Sequence, residues 1–589
     1  MPSRWTLTIA IFFLASIAAA PQAAPSNHAV QQAFNHGVQA LKQRDLETAR
    51  NDFEKVIQLS PRNAEAHNLL GWILLNKGQI EEAIAQYKKA IVLRTDFFEA
   101  HLNLADAMAQ TRDFAGALEE ARKAARLSPQ NPDAHRMAGR ILSFQGNLPA
   151  ATSELQLSIK LAPRRADLRD ELGAVLAQQS HYEEAAHQFT QAITLQPDMA
   201  SAYLHLGAIR LQQNAAASAL PPLRTAVKLA PKNPHAHFYL AQALAKTNDA
   251  GGAIQELRAA LDIQSNFAEA DNQLGLLLQR TENVNDAVSA FRSATNLQPD
   301  NPEFHNNLGM ALIQVGDAAS SVSEFQAALR LRPTDSGYQG NLGVAYLQRA
   351  DFDAAIRQFQ AALELAPQDA TLHYDLGLAL KLKDRLADAI AEFRKATQLD
   401  PVQADAHYTL GVTLWQQGDF DGAVPELRAA IQARPDYAEA YYTLGTVLKQ
   451  QNKLQESAKA LKEAIRLQPE FAGAHTTLGI VLRQLGDRAE AAEELKAGLA
   501  ISKQKTNLQA ATFATNSGRR LLDAGDLDGA ISQFRSALES VPDFALAHYQ
   551  LGIALQRKGE RAESEKEFSR ASQLNPNLKP PETLKIRTP

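Results

Sequence analysis

Cysteine is absent from all 589 residues. That absence removes disulfide staples, zinc knuckles, iron–sulfur ligation, thiol catalysis and a lipidated N-terminal cysteine together. Aromatic residues are scarce at 6%, although apolar residues reach 45%. Much of the apolar share is therefore alanine, which favours helix and lets helices approach closely. Charge of one sign is not in excess: Lys+Arg 60 against Asp+Glu 65 gives a net charge of −5. Nucleic-acid binding draws on clustered positive charge, so no nucleic-acid partner is expected. Catalytic signatures are missing as well. The chain has no G-x-S-x-G elbow, no G-x-x-x-x-G-K-[ST], no H-E-x-x-H and no dinucleotide glycine fingerprint. Without the residues that such chemistry places at fixed spacing, the chain is expected to be no enzyme and to need no cofactor or metal.

Long apolar runs are also missing, with one exception at the N-terminus. Arg4 precedes an uncharged stretch of 15 residues, Thr6–Ala20, and small residues follow at Ala18, Ala19 and Ala20. A basic start, a short apolar run and a small-residue exit describe a secretory signal peptide, assigned to residues 1–24 with cleavage between 18 and 24. A permanent anchor needs about 20 apolar residues, so an uncleaved anchor is the weaker alternative. The expected location is periplasmic or extracellular, with no stable membrane insertion after cleavage.

What the chain has in abundance is a period. Leu-Gly or a near variant recurs every 34 residues from Gly37 to Gly479, fourteen copies without an inserted residue. Gly518 and Gly552 continue the series after a slip of five. A small residue follows each step by twelve positions, as at Ala49 and Ala83, and proline follows most by twenty-four, as at Pro61 and Pro435. The frame gives fourteen copies over residues 30–505, an insertion at 506–510 and two more copies over 511–578. Residues 25–29 are left as a short linker and 579–589, with three prolines, as a disordered tail.

Each copy reads as two helices. After Asp405 the apolar residues Ala406, Leu410, Val412 and Leu414 share one face. Gly418 breaks the pattern and Asp419 is placed to cap a second helix carrying Phe420, Ala423, Val424, Leu427, Ala430 and Ile431. Aspartate recurs at this capping place as Asp45, Asp113, Asp249, Asp317, Asp351, Asp487 and Asp526. Pro435 ends the copy, because proline lacks an N–H and disfavours helix in the residue before it.

The pattern Leu410-Gly411, Ala423, Leu427, Ala430 and Pro435 resembles the tetratricopeptide repeat (TPR) family. The resemblance implies an all-α solenoid of about sixteen 34-residue helix-turn-helix repeats. It further implies a superhelix whose first helices line a concave groove for protein or peptide segments. This chain departs from the family at the first-helix position that usually holds a large aromatic. Histidine stands there as His67, His101, His135, His237, His305, His373, His407, His475 and His548. Helix axes pack about 8–10 Å apart and metal–nitrogen bonds need about 2 Å, so one histidine per repeat does not converge on a metal. A half-buried packing role is expected instead.

Groove positions 5, 9 and 12, as the resemblance places them, are mixed over most of the array. In the eleventh to fourteenth copies they become Tyr374, Tyr408 and Tyr442 at position 5 and Lys381, Trp415, Lys449 and Arg483 at position 12. Aromatics give contact area at low entropy cost and cations recruit carboxylates, so an extended acidic segment is the expected ligand. The family's carboxylate grip through a Gly-Asn pair is not supported, since Asp106, Val412 and Thr446 stand where that asparagine would. Long TPR arrays also serve as substrate arms of O-linked N-acetylglucosamine transferases, and Asn35, Asn103, Asn307, Asn341 and Asn516 occupy a groove position that recurs as asparagine there. No catalytic domain fits in the remaining residues, so such an activity would need a partner chain. Three irregularities stand out. The slip at 506–510 fits either a longer second helix or a reorienting loop, Pro221, Pro222 and Pro425 predict kinks, and Gly337 and Gly340 loosen the tenth copy.

Overall fold

The computed structural model describes residues 25–281, 283–579 and 581. Among them are 31 helices and no strand. The signal segment, residues 1–24, lies outside the described residues, as does most of the tail. The array falls into two units, residues 1–299 and 300–589, each a stack of helical hairpins. With position 1 at residues 30, 64 and so on, the twelfth repeat pairs Ala404–Gln416 with Phe420–Ala433. A four-residue connector around Pro435 leads to the next first helix, Ala438–Gln450.

The turn between the two helices of a hairpin is dictated by one residue, position 15. It takes a left-handed backbone conformation in every repeat that shows it, filled by glycine at Gly418 and Gly146 but by Ala350 and Asn452 elsewhere. Aspartate then starts the second helix. Asp45, Asp113, Asp249, Asp317, Asp351, Asp419 and Asp526 each accept from a backbone N–H three residues on. Asp487 does not, although the sequence places it in the same role.

Packing within a hairpin centres on positions 8 and 24. The ring of Phe393 lies directly on the backbone of Gly377, and a Cβ at Gly377 would come within 2.5 Å of it. Position 24 is fully buried in repeat after repeat, as at Phe53, Phe189, Phe291, Phe359 and Phe534. The one pair of alanines, Ala105 at position 8 and Ala121 at position 24, keeps the close approach with a small residue on each side.

The histidines do more than fill space. In eight repeats the position-4 Nδ1 lies 2.5–2.8 Å from a glutamate on the second helix of the same hairpin, as in His373–Glu392 and His407–Glu426. The other ring nitrogen reaches back to the connector before the hairpin: His407 Nε2 is 3.1 Å from the Pro401 carbonyl and His475 Nε2 is 2.9 Å from that of Pro469. A carbonyl and an ionised carboxylate only accept, so both contacts are made in full by the imidazolium. Among the described residues no group of three metal-binding side chains stands together.

One expected boundary is corrected. Residues 25–29 are not a linker: the first helix runs Pro25–Lys42. Of the two readings of the slip at 506–510, the longer helix is the one found: an uninterrupted 36-residue helix, Arg488–Asp523, joins the fourteenth repeat's second helix to the fifteenth's first. Proline ends the second helix in most other repeats, and residues 502–510 contain neither proline nor glycine. Pro221, Pro222 and Pro425 do lie inside second helices, Ala216–Leu229 and Phe420–Ala433, as the sequence places them. Gly337 and Gly340 lie within a regular helix, Ser336–Gln348, capped by Asp335.

Two outcomes follow from this packing. Gly377→Ala gains helix propensity of about 1 kcal/mol but overpacks the ring by about 1–3 kcal/mol, so it should lower the unfolding midpoint. In a Phe393→Ala background the same change should raise it, and calorimetry on the four proteins reads the reversal. The hydrogen bond to Glu426 raises the pKa of His407 above the ordinary histidine value. The stabilisation it gives is therefore complete below about pH 6.5 and fades as pH climbs through the raised value. Glu426→Gln should accelerate amide exchange in Ala404–Ala433 at pH 6 and much less at pH 9.

Candidate functional site

First helices of neighbouring repeats touch one another, as Ala404–Gln416 touches Ala438–Gln450, whereas neighbouring second helices make no comparable contact. First helices thus line the inner side of each stack. The seven residues singled out from the sequence all lie on first helices of the second unit, Ala370–Leu382, Ala404–Gln416, Ala438–Gln450 and Ala472–Leu485.

A polar ladder joins several pairs of neighbouring first helices at a spacing of 35 residues, from position 5 of one repeat to position 6 of the next. Asn103 donates to Asn68 at 3.0 Å, Asn341 to Asn306 at 2.8 Å, and Arg136 grips Glu171 at 2.6 Å. Tyr374 takes part in the same ladder, its hydroxyl 3.4 Å from Thr409 Oγ1. One carboxylate on this ladder faces no side chain. Asp375 stands at position 6, but position 5 of the repeat before it is Gly340, which has no side chain to offer. Burial, with Asp369 adding a like charge, pushes the Asp375 carboxyl up to about 6.

The three tyrosines are half-buried and each is backed by another ring. Tyr374 lies 5.8 Å from Phe393, Tyr408 4.9 Å from Tyr437 and Tyr442 4.6 Å from Phe471, centre to centre. Tyr437 in turn donates to Asp405 at 3.0 Å, and Arg434 bridges the same carboxylate and covers the Tyr437 ring. That bridge holds the Asp405 carboxyl below the usual aspartate range. Trp415 is tied too, its Nε1 donating to Gln450 at 2.6 Å. The aromatics therefore form fixed walls rather than free side chains.

The cations differ. Among the described residues, Lys381, Lys449 and Arg483 have no carboxylate within 4.0 Å. Lys381 and Lys449 are half-buried and Arg483 is exposed. Burial pulls the Lys381 ammonium below the ordinary lysine value. Lys381 and Lys449 lie two repeats apart with Trp415 at the same position between them, and Arg483 follows one repeat on, so position 12 of successive first helices carries uncompensated positive charge. Sequence reasoning missed Tyr437 and Phe471, which close repeats twelve and thirteen at position 34, and it missed Asp375. Aromatic recurrence at position 34, as at Phe97 and Phe267, was the available signal.

Asp375 gives a pH test. A carboxyl whose folded pKa is raised costs stability above that value and nothing below its ordinary value near 4. Asp375→Asn should therefore raise the unfolding midpoint at pH 7.5, with the gain gone at pH 4, as followed by circular dichroism.

Family models agree with this architecture. Models described as "Tetratricopeptide repeat" match residues 53–85, 102–166, 171–234, 217–266, 272–336, 341–404, 383–438, 408–456 and 442–505. One described as "TPR repeat" matches 71–111 and 518–559. No curated protein matches the sequence significantly. Similar solved structures include the APC/C hetero-tetramer Cut9–Hcn1, at 14% identity over 77% of this chain and 96% of that one, with a TM-score of 0.38. MamA from Desulfovibrio magneticus RS-1 is 26% identical over 28% of this chain and 94% of its own, with a TM-score of 0.27. YrrB, described as a TPR protein with an unusual peptide-binding site, is 24% identical over 31% of this chain and 95% of its own, at 0.27. With family models matching most of the array and hairpins stacked at a 34-residue period, the chain belongs to the tetratricopeptide repeat family.

Proposed function

We propose that this TPR scaffold is exported and holds an extended acidic protein segment across the inner face of its eleventh to fourteenth repeats. In that role it organises an envelope or secretion assembly and performs no catalysis itself. A scaffold suited to protein binding is what the repeat array provides. The finer reading rests on one observation: Lys381, Lys449 and Arg483 recur along first helices with no anionic partner, on a chain of net charge −5. Carboxylates of a bound segment would supply those partners, and the backed rings of Tyr408 and Tyr442 offer rigid contact area. Export rests on the apolar N-terminal segment alone. The rival role, substrate arm for an O-glycosyltransferase on another chain, draws on groove asparagines, and Asn103 and Asn341 are already spent on neighbouring asparagines.

The test combines capture and titration. Trp415→Ala and Tyr408→Ala should each weaken binding of captured envelope partners by about 1–2 kcal/mol. Lys449→Gln with Arg483→Gln should flatten the salt dependence of association, since fewer charges are then screened. Unchanged recovery by the quadruple variant returns these residues to solvated surface. Fractionation of a C-terminally tagged chain, with mass spectrometry of its N-terminus, checks export and cleavage between residues 18 and 24.

A further inference from the structure

The long helix Arg488–Asp523 leaves a repeat junction unmade. At an ordinary junction a second helix folds back through the connector and packs antiparallel on the next first helix. Positions 21, 24 and 28 of the second helix then meet positions 10, 7 and 3 of the first. Between the thirteenth and fourteenth repeats Ala458, Leu461, Leu478 and Val481 share one buried cluster with Ile465 packed against it, and Ala474 is fully buried. Between the fourteenth and fifteenth repeats both halves belong to one uninterrupted helix, so they follow one another along its axis and cannot fold onto each other.

The consequence is exposed apolar surface at positions that are covered elsewhere. Leu499, at position 28, is 71% exposed, and Phe513, at position 3, is 70% exposed. Leu495, at position 24, is the one member of its column that is not fully covered. The first and last repeats show how this protein finishes an open face. Positions 3, 7 and 10 of the first repeat are Gln32, His36 and Gln39, and positions 21 and 28 of the last are Glu565 and Ser572. Faces that meet water there are polar. The face with Ala492, Leu495 and Leu499 is not finished that way.

We propose that a second copy of this chain covers it, with the two Arg488–Asp523 helices pairing antiparallel about a two-fold axis at Thr506. The unmade pairs are Ala492 with Arg520, Leu495 with Ser517 and Leu499 with Phe513, and each is symmetric about residue 506. Two such helices laid antiparallel therefore make in trans the three pairs that every other junction makes in cis, and make them twice. All the members of the stripe fall within one side of a helix at 100° per residue. At its centre Ser502, Thr506 and Ala510 are small and exposed, which permits close approach. The outermost pair sets Arg520 where Val481 is fully buried, opposite a residue as small as Ala492. Its stem can cross that alanine and deliver the guanidinium to water. The interface is isologous, and exchange of one junction between identical chains is a low-cost route to a dimer. This does not rest on the groove reading, since no groove residue takes part.

The absence of native cysteine makes the test direct. The chain without its first 24 residues, which carries every described helix, should sediment as a dimer at tens of micromolar. Leu499→Glu with Phe513→Glu should make it a monomer with unchanged helical circular dichroism. Under mild oxidation Thr506→Cys should form a covalent dimer, because the two residues meet on the axis within disulfide reach. The Leu499→Cys, Phe513→Cys chain should likewise run as a cross-linked dimer. A monomeric parent overturns the proposal, and so does a Leu499–Phe513 cross-link formed within one chain, which would mean that the helix bends and closes the junction in cis. A dimer that survives the double glutamate variant places the contact elsewhere and overturns it too.

Discussion

The whole array depends on how closely two helices can approach at one crossing. Position 8 has no side chain in most repeats, so the residue at position 24 sits on bare helix backbone: Phe189 on Gly173, Phe325 on Gly309, Leu427 on Gly411. Close packing there sets the angle and separation of each hairpin, because ridges can only settle into a groove that is empty. Once that is fixed, the left-handed residue at position 15 and the connector proline only have to reverse the chain at the right places. With each hairpin contacting its neighbours alone, the stack grows by adding identical steps.

Polar groups stitch the steps together without interrupting them. A histidine such as His237 touches Glu256 on its own hairpin and the Pro231 carbonyl in the connector before it, so one ring ties two successive repeats. The ladder at positions 5 and 6 does the same on the inner side, with Asp170 accepting from Ser201 and paired with His205. These contacts are half-buried and partnered, which is the condition under which buried polar groups add specificity rather than cost. Register between repeats is thus held by directional bonds while the apolar columns supply adhesion.

What could be read from the sequence is whatever recurs at the repeat period. Gly377, Ala389 and Pro401 announce a hairpin because each has counterparts 34 residues away. Asp419 is legible as a cap since its chemistry acts three residues on. Partnerships across the stack are harder to see. That His407 meets Glu426, or that Trp415 meets Gln450, depends on side-chain reach between helices and not on any local pattern. The candidate site shows the same division. The tyrosines and cations were visible as a composition change, but their backing rings, Tyr437 and Phe471, were not, and neither was the polar partner that Gly340 fails to offer Asp375. The five-residue slip was visible as a number without a structure. Helix-compatible residues from 502 to 510 decided it, since nothing there stops a helix once the closing proline is gone.

The same physics separates surface that is finished from surface that is not. His36 and Gln39 in the first repeat, and Glu565 in the last, solvate faces with no neighbouring repeat to cover them. Lys381 and Leu499 break that rule in opposite senses. Lys381 keeps a cation half-buried with no anion beside it, which burial makes unfavourable. Leu499 keeps an isobutyl group in water at a position that other repeats cover. A repeat array has ready substitutes for both, since position 12 holds the uncharged Leu75 and Ala109 in other repeats and position 28 accepts the small polar Ser572. Each departure is relieved by a different addition: an anion for the lysine, a second apolar helix for the leucine. As proposed, the two are therefore independent contacts on one unit, one for a ligand along the inner face and one for a copy of the chain along the long helix.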